Sequence, residues 1–413
     1  MGHRLQKGEI IMAKKETVVA ALVLLFAGLV FSGCSVQAPP ELFTAIKAGN
    51  LDYVKTALQE NPKFANSKDQ SGETPLILAA RTGNKNLCEV LIANGADLEA
   101  QGQYGTALHE AAIANLKDIA ELLINRGANV NAKDNSGYTP LYYASTFGPA
   151  GKRNKNDWDI ARSLVSRGAS VNTKPGSDDT PLHSAALYAP EEIVKLFLDN
   201  GANVNVKLTS PGWPGKRNSG PTALHNACMR ADKNTEIVEL LIAAGADLNA
   251  KCYNDKADGW TPLFFACLHE NTEAVRLLVA KRAKVQARSE SGSTPIHHAP
   301  NAEIAQLLID NGANVHFKDK NGYSPLHNAV KAGRLDVAKL LIAKRAFVTT
   351  INNQGTSLLH EAANNNQKEM IELLIAQGVN IDAKDRAGMT PAGVAEKAGH
   401  HEIAEFLRNY NAK

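Results

Sequence analysis

Two patterns of apolar and polar residues divide the chain. From Thr17 to Gly33 no residue is charged, and Val18–Phe31 is almost entirely Val, Ala, Leu and Phe. That run of 14 residues is shorter than a membrane-spanning helix and has the length of the apolar core of an export signal. Beyond Pro40 the pattern changes. Short apolar stretches recur with a period near 33 residues. Each period predicts a first helix rich in alanine and a second carrying runs such as IVKLFL, Ile193–Leu198. A period of this length points to stacked repeats, in which each unit buries the apolar face of its neighbour.

The units begin at Pro40, Thr74, Thr106, Thr139, Thr180, Thr222, Thr261, Thr294, Ser324, Ser357 and Thr390. Their recurring text includes TPLILAA, TALHEAA, TPLYYAS, TPLHSAA, TPLFFAC, SPLHNAV and SLLHEAA. Each part has a physical job. Thr180 can cap a helix N-terminus, and Pro181 suits the first helical position, where no amide is needed. Leu182, Ala185 and Ala186 are predicted to pack inward. Gly201 can take the left-handed conformation that ends the second helix, as can Gly95, Gly127, Gly168, Gly245, Gly312 and Gly378. Arg282 and Arg345 stand where the other units have that glycine.

From Pro40 to Lys413 this text closely resembles the ankyrin repeat. The resemblance implies an all-α solenoid of about eleven repeats, each a helix-turn-helix followed by a hairpin loop. The first unit, with Phe43 in the usual histidine position, and the last, TPAGVAEKAGHHEIAEFL, are expected to act as caps. Four units depart from the period. Extra residues fall at Pro149–Asn156, Lys207–Gly220 and Lys251–Trp260, and the unit at Thr294 is three residues short after Pro300. GKRN occurs at Gly151–Asn154 and again at Gly215–Asn218, in loops expected at opposite edges.

The N-terminal pattern resembles a bacterial lipoprotein signal peptide. Lys14 and Lys15 precede the apolar run, and Ser32-Gly33-Cys34 ends it, although Phe31 stands where that class prefers Leu. The resemblance implies lipidation of Cys34, cleavage before it, and a tether through Pro39 that reaches at most about 18 Å. Ser35 implies the outer rather than the inner membrane. Codons for Lys7-Gly8-Glu9 can encode a ribosome-binding site, which makes Met12 the expected start.

Composition adds limits. With 413 residues, 44% of them hydrophobic, and a formal net charge of +3, the chain reads as an ordinary globular protein and not as a nucleic-acid binder. Of the five cysteines, Cys88, Cys228, Cys252 and Cys267 are expected to be free thiols. Cys228 and Cys267 share a register in adjacent repeats, roughly 10 Å apart, too far for a disulfide. The histidines His109, His183, His225, His297, His327 and His360 recur once per unit, too far apart to share a metal. The resemblance implies that they hydrogen-bond within and between repeats. HEAA at His109 and His360 lacks the second histidine of a zinc protease motif. No nucleophile–base–orienter trio or phosphate loop is present, so no catalytic residue, cofactor or small-molecule substrate is predicted.

In the ankyrin family, partners meet the hairpin tips and the exposed face of the first helix. By register those positions are Tyr138, Phe147, Tyr188, Met229, Arg230, Trp260 and His269, with Trp213 on a neighbouring long loop. The same columns further along hold Lys331, Asn364, Asn365 and Lys397. The aromatic residues could instead pack under the long hairpins. The expected function is a protein-binding scaffold on the extracytoplasmic face of a bacterial membrane. The alternatives are a modulator or protector of a periplasmic enzyme, and a host-directed effector, against which the signal peptide argues.

Overall fold

The structure is a computed structural model that describes residues 37–146, 158–173, 179–208, 220–253 and 258–410. Cys34, Phe147, Trp213 and both GKRN segments lie outside the described residues. The fold is all-α. Among the described residues strand is confined to the ribbon Cys252–Tyr253 and Asp258–Trp260, in which Cys252 pairs with Trp260. The chain divides into two compact units, residues 1–103 and 104–413. The smaller carries the helix pairs Pro40–Ala48 with Leu51–Glu60 and Pro75–Arg81 with Lys85–Ala93. The larger repeats the same pairing nine times, from Ala107–Ile113 with Lys117–Asn125 to Pro391–Lys397 with His401–Tyr410. Among the described residues no helix is long and apolar enough to cross a membrane.

Packing follows the sequence pattern. Leu182, Ala185 and Ala186 of the first helix Pro181–Tyr188 are buried, as are Ile193, Val194 and Phe197 of its partner Glu191–Asp199. The alanines let the helices approach closely, and the larger residues fill the space between successive pairs. Cys88, Cys228, Cys252 and Cys267 are buried free thiols, and burial pushes Cys88 and Cys252 up to about 12.

Six first helices carry the recurrent histidine, which caps the helix and in five of them also bonds the following hairpin. At His109, His183, His225, His297, His327 and His360 the imidazole reaches back to the Thr or Ser three residues earlier. In the unit at Thr222 the backbone N–H donates to Nδ1 of His225 at 3.1 Å, and the hydroxyl lies 2.9 Å from the same nitrogen. The other nitrogen faces a carbonyl of the following hairpin. His109 meets Tyr138, His183 meets Val206, His225 meets Trp260, His297 meets Tyr323 and His360 meets Met389, all within 2.9–3.3 Å. Nδ1 must accept and Nε2 must donate, so these partners select the neutral Nε2–H tautomer. His327 keeps the cap, but its Nε2 has no partner in bonding geometry.

Asparagines interlock the outer loops. Asn131, Asn172 and Asn205 each donate to the carbonyl of the helix-ending glycine in the next repeat, Gly168, Gly201 and Gly245, at 2.7–3.0 Å. Each also accepts from the backbone N–H two residues beyond that glycine, at Ser170, Asn203 and Asp247. Gln286 continues the row to Gly312. Gly201 has φ 79°, and Arg282 and Arg345 adopt the same left-handed conformation at φ 67° and 65°. A side chain there costs about 1–2 kcal/mol, so these two turns are strained rather than rebuilt.

Arg230 is a correction to the set of exposed residues. It is 6% exposed. Its guanidinium donates to the carbonyls of Ala186 and Ala189 in the preceding repeat, at 3.4 and 3.0 Å, and to Asp232 at 2.8 Å. That hydrogen bond holds the Asp232 carboxyl below its usual range. The cause is Pro190. The residue before a proline is extended, here Ala189 with ψ 157°, so the helix ends abruptly with unpaired carbonyls. The same arrangement recurs at the shortened unit. There the first helix is only the 3-10 turn Pro295–His298, Pro300 follows Ala299, and Arg334 donates to the Ala299 carbonyl at 3.0 Å.

Two predictions follow from these contacts. Burial lowers His225 to about 3 and His327 to about 4, and lowers His109 and His297 as well. An imidazole that stays neutral when folded but protonates near 6.5 when unfolded contributes stability at neutral pH, and that contribution is lost as pH falls below about 6.5. At pH 4.5 the loss at His225 alone is about 2–3 kcal/mol. Denaturant midpoints should therefore fall steeply between pH 7 and pH 4.5, with a shallower slope in His225→Gln; parallel slopes would contradict the assignment. Arg230→Ala should cost about 2–3 kcal/mol, because it leaves buried carbonyls unpaired, whereas Tyr188→Ala should stay within about 0.5 kcal/mol. Equal effects in chemical denaturation would reverse that ranking.

Candidate protein interface

Two aromatic clusters mark the face made by the first helices and hairpins of the larger unit. They arise where the recurrent histidine is replaced. In the unit at Thr139 the replacement is Tyr142, followed by Tyr143; in the unit at Thr261 it is Phe264, followed by Phe265. Without the imidazole the cap weakens. Tyr142 N–H meets the Thr139 hydroxyl only at 3.4 Å, and the Thr261 hydroxyl is buried without a partner. Aromatic packing takes its place.

In the first cluster the Tyr138 ring lies 4.4 Å from Tyr142 and 5.7 Å from Tyr143. The Tyr138 backbone is fixed on both sides: its N–H donates to Asp134, and its carbonyl accepts from His109. Tyr143 donates its hydroxyl to the other Asp134 oxygen at 2.7 Å. Burial raises the Tyr142 and Tyr143 hydroxyls above their ordinary range, so both stay neutral.

In the second cluster Trp260 stacks on Phe264, with centroids 5.7 Å apart and planes at 12°. It also meets Phe265 edge-on at 6.0 Å and His298 at 5.0 Å. His225 closes the group against Phe265. Trp260 is positioned by the short ribbon and by its carbonyl bond to His225. Burial lowers His298 to about 4, so it packs as a neutral ring. Tyr138 and Trp260 are thus half-buried.

Between and beside the clusters the first-helix ends present other groups. Tyr188 is 60% exposed. Met229 is half-buried and His269 is exposed. Five predicted residues, Tyr138, Tyr188, Met229, Trp260 and His269, are thus exposed or half-buried, while Arg230 is buried in the packing. Phe147 and Trp213 lie outside the described residues. Register reasoning missed Leu268, which is 43% exposed. The signal was available, since Leu268 occupies the same column as Met229. The two clusters are three repeats apart, roughly 30 Å at the spacing of packed helices.

Such a face can offer aromatic surface and hydrogen-bonding edges to another macromolecule. Among the described residues no group of three His, Cys, Asp or Glu side chains could hold a metal ion.

Comparison with known proteins agrees with this geometry. The family model described as "Ankyrin repeats (3 copies)" matches seven overlapping stretches, 29–102, 99–175, 137–208, 208–289, 284–352, 298–385 and 348–413. The mouse "Ankyrin repeat and SAM domain-containing protein 6" is 39% identical over 102 residues, 24% of this chain and 12% of that protein. Human "Neurogenic locus notch homolog protein 1" is 35% identical over 104 residues, 25% of this chain and 4% of that protein. The Arabidopsis thaliana "E3 ubiquitin-protein ligase KEG" is 24% identical over 269 residues, 62% of this chain and 16% of that protein. The matched stretches therefore span only a small part of each of these relatives. Proteins built of this repeat are generally protein-binding scaffolds. With its histidine caps, its paired helices and a family match along almost the whole repeat region, the chain belongs to the ankyrin repeat family.

Proposed function

We propose that this chain is a non-enzymatic scaffold that captures another protein on the first-helix face of its fourth to seventh repeats. We further propose that a lipid on Cys34 holds it on the extracytoplasmic side of a bacterial envelope membrane. The observation that carries the first reading is the exposure of Tyr188 between, and Leu268 beside, two aromatic clusters whose rings are packed on one another. Exposed apolar groups beside preorganised rings lose little entropy when a partner covers them. The anchoring reading rests on the uncharged run ending at Ser32-Gly33-Cys34.

A crosslinked pull-down from membranes would identify the partner, and a periplasmic enzyme among its products would make the chain a modulator or protector. With that partner in hand, Tyr188→Ala combined with Leu268→Ala should weaken capture by about 30-fold, as truncation of central anchors does. Unfolding should remain unchanged. Substitutions at Asn364 and Lys397 should do little; loss of capture only with those two would move the site. Trp260→Ala is expected to reduce both capture and stability, because its ring is packed on Phe264. Separately, Cys34→Ala should abolish both acyl labelling and cleavage of the precursor. Undiminished labelling of that variant would end the lipid-anchor reading and leave protein capture untouched.

A further inference from the structure

The tetrapeptide Ala-Lys-Arg-Ala occurs twice, at 280–283 and 343–346, in the same register of the seventh and ninth repeats. Both copies sit at the end of a second helix, and in both the arginine occupies the left-handed position. Gly245, Gly312 and Gly378 fill that position without strain in neighbouring units. A lysine at a helix C-terminus complements the helix dipole, which accounts for Lys281 and Lys344. It does not account for an arginine on a strained backbone. Strain of this kind persists where the side chain has work to do.

The side chains have no such work inside the fold. Arg282, Arg345, Lys281, Lys284 and Lys344 are exposed, and none of their side chains makes a hydrogen bond or ion pair among the described residues. Residues 281–288 carry Lys281, Arg282, Lys284 and Arg288 with no acidic residue. The corresponding stretch 244–251 is balanced, with Asp247 against Lys251. Three carboxylates of repeats seven and eight are engaged elsewhere. Asp319 is occupied by the N–H groups of Asn321 and Tyr323, Glu290 accepts from Tyr253, and Asp310 bonds Gln306. An open cleft of about 500 Å³, bounded by Val279, Arg282, Lys284 and Asn311, lies beside the first arginine.

The asparagine row breaks at the same place. His316 stands in the bridging position, and Phe347 lies two residues beyond Arg345. Their rings meet at 4.2 Å and 31° in place of the usual amide bonds. Phe347 is nevertheless 65% exposed, and Ile351 beside it 49%. Because Phe347 leans on His316 at a tilt of 31°, it forms a supported platform rather than a free projecting wedge. Insertion into lipid needs a projecting apolar group, so the geometry favours a polypeptide over a membrane.

We propose that this edge of repeats seven to nine is a second docking surface, for an extended acidic segment of a partner protein. Its carboxylates pair with Arg282 and Arg345, and an apolar side chain between them lies on the His316–Phe347 platform. The two arginines are two repeats apart, roughly 20 Å, which six or seven extended residues span. Arginine is suited to such pairing because it binds a carboxylate through two N–H groups.

The test uses the full chain and the fluorescent heptapeptide Glu-Glu-Glu-Leu-Glu-Glu-Glu, with its all-lysine counterpart and with vesicles rich in phosphatidylglycerol as rivals. The acidic peptide should bind at least about tenfold tighter than the basic one, and high salt should weaken it. Arg282→Gly with Arg345→Gly should weaken binding by about tenfold or more, while the unfolding midpoint stays level or rises because the strain is removed. Phe347→Ala should reduce binding of the leucine peptide but not of its glycine-centred version. Unchanged peptide binding in the double glycine variant would overturn the proposal. So would a lower midpoint with unchanged binding, which would make the arginines structural. Arginine-dependent capture of the vesicles that excess acidic peptide fails to compete would also overturn it, in favour of a membrane surface.

Discussion

A single side chain ties local helix formation to the stacking of one repeat on the next. In six units the histidine of the first helix binds its own helix N-terminus through Nδ1 and, in five of them, the following hairpin through Nε2. Short helices of six to eight residues, such as Ala223–Cys228, are too brief to be stable alone. They persist because the cap satisfies an orphan N–H, and because the same ring pins the loop that begins the next unit. The bond pattern works only while the ring is neutral. The desolvation that excludes charge is therefore part of what holds neighbouring repeats in register.

Against this regular background, the informative places are those where the pattern is replaced. Tyr142 and Phe264 stand where the histidine would be, and each nucleates an aromatic cluster that fixes Tyr138 or Trp260. Pro190 and Pro300 end first helices abruptly, and an arginine from the next repeat fills the exposed carbonyls. Arg282 and Arg345 keep a glycine's backbone without its freedom. The first two substitutions are compensated within the fold. The third is not, and this asymmetry is what makes the outer edge of repeats seven to nine a surface to be explained.

The repeat architecture was legible in the sequence because each element is signalled locally. Threonine and proline start the first helix, and glycine ends the second. The free thiols followed from register, and the histidine bonds from the resemblance to the ankyrin repeat. Arg230 was misread because its column holds the exposed Tyr188 and His269, and only the third dimension brings its guanidinium onto Ala189. The Ala-Pro pairs at Ala189 and Ala299 were visible, but their arginine partners lie 41 and 35 residues away. Trp260 proved to be both a packing residue and an interface candidate, two roles that register alone had set against each other. His316 and Phe347 could not be foreseen as a pair, since nothing in either residue signals that an amide row stops between them.

The measurement that bears most directly on this account is a long-range nitrogen–proton NMR spectrum of the histidine rings at neutral pH. The account predicts that His109, His183, His225, His297 and His360 each carry their proton on Nε2, with Nδ1 shifted as a hydrogen-bond acceptor. Nδ1–H tautomers, or charged rings at these positions, would mean that neither the caps nor the bonds between repeats are made as described.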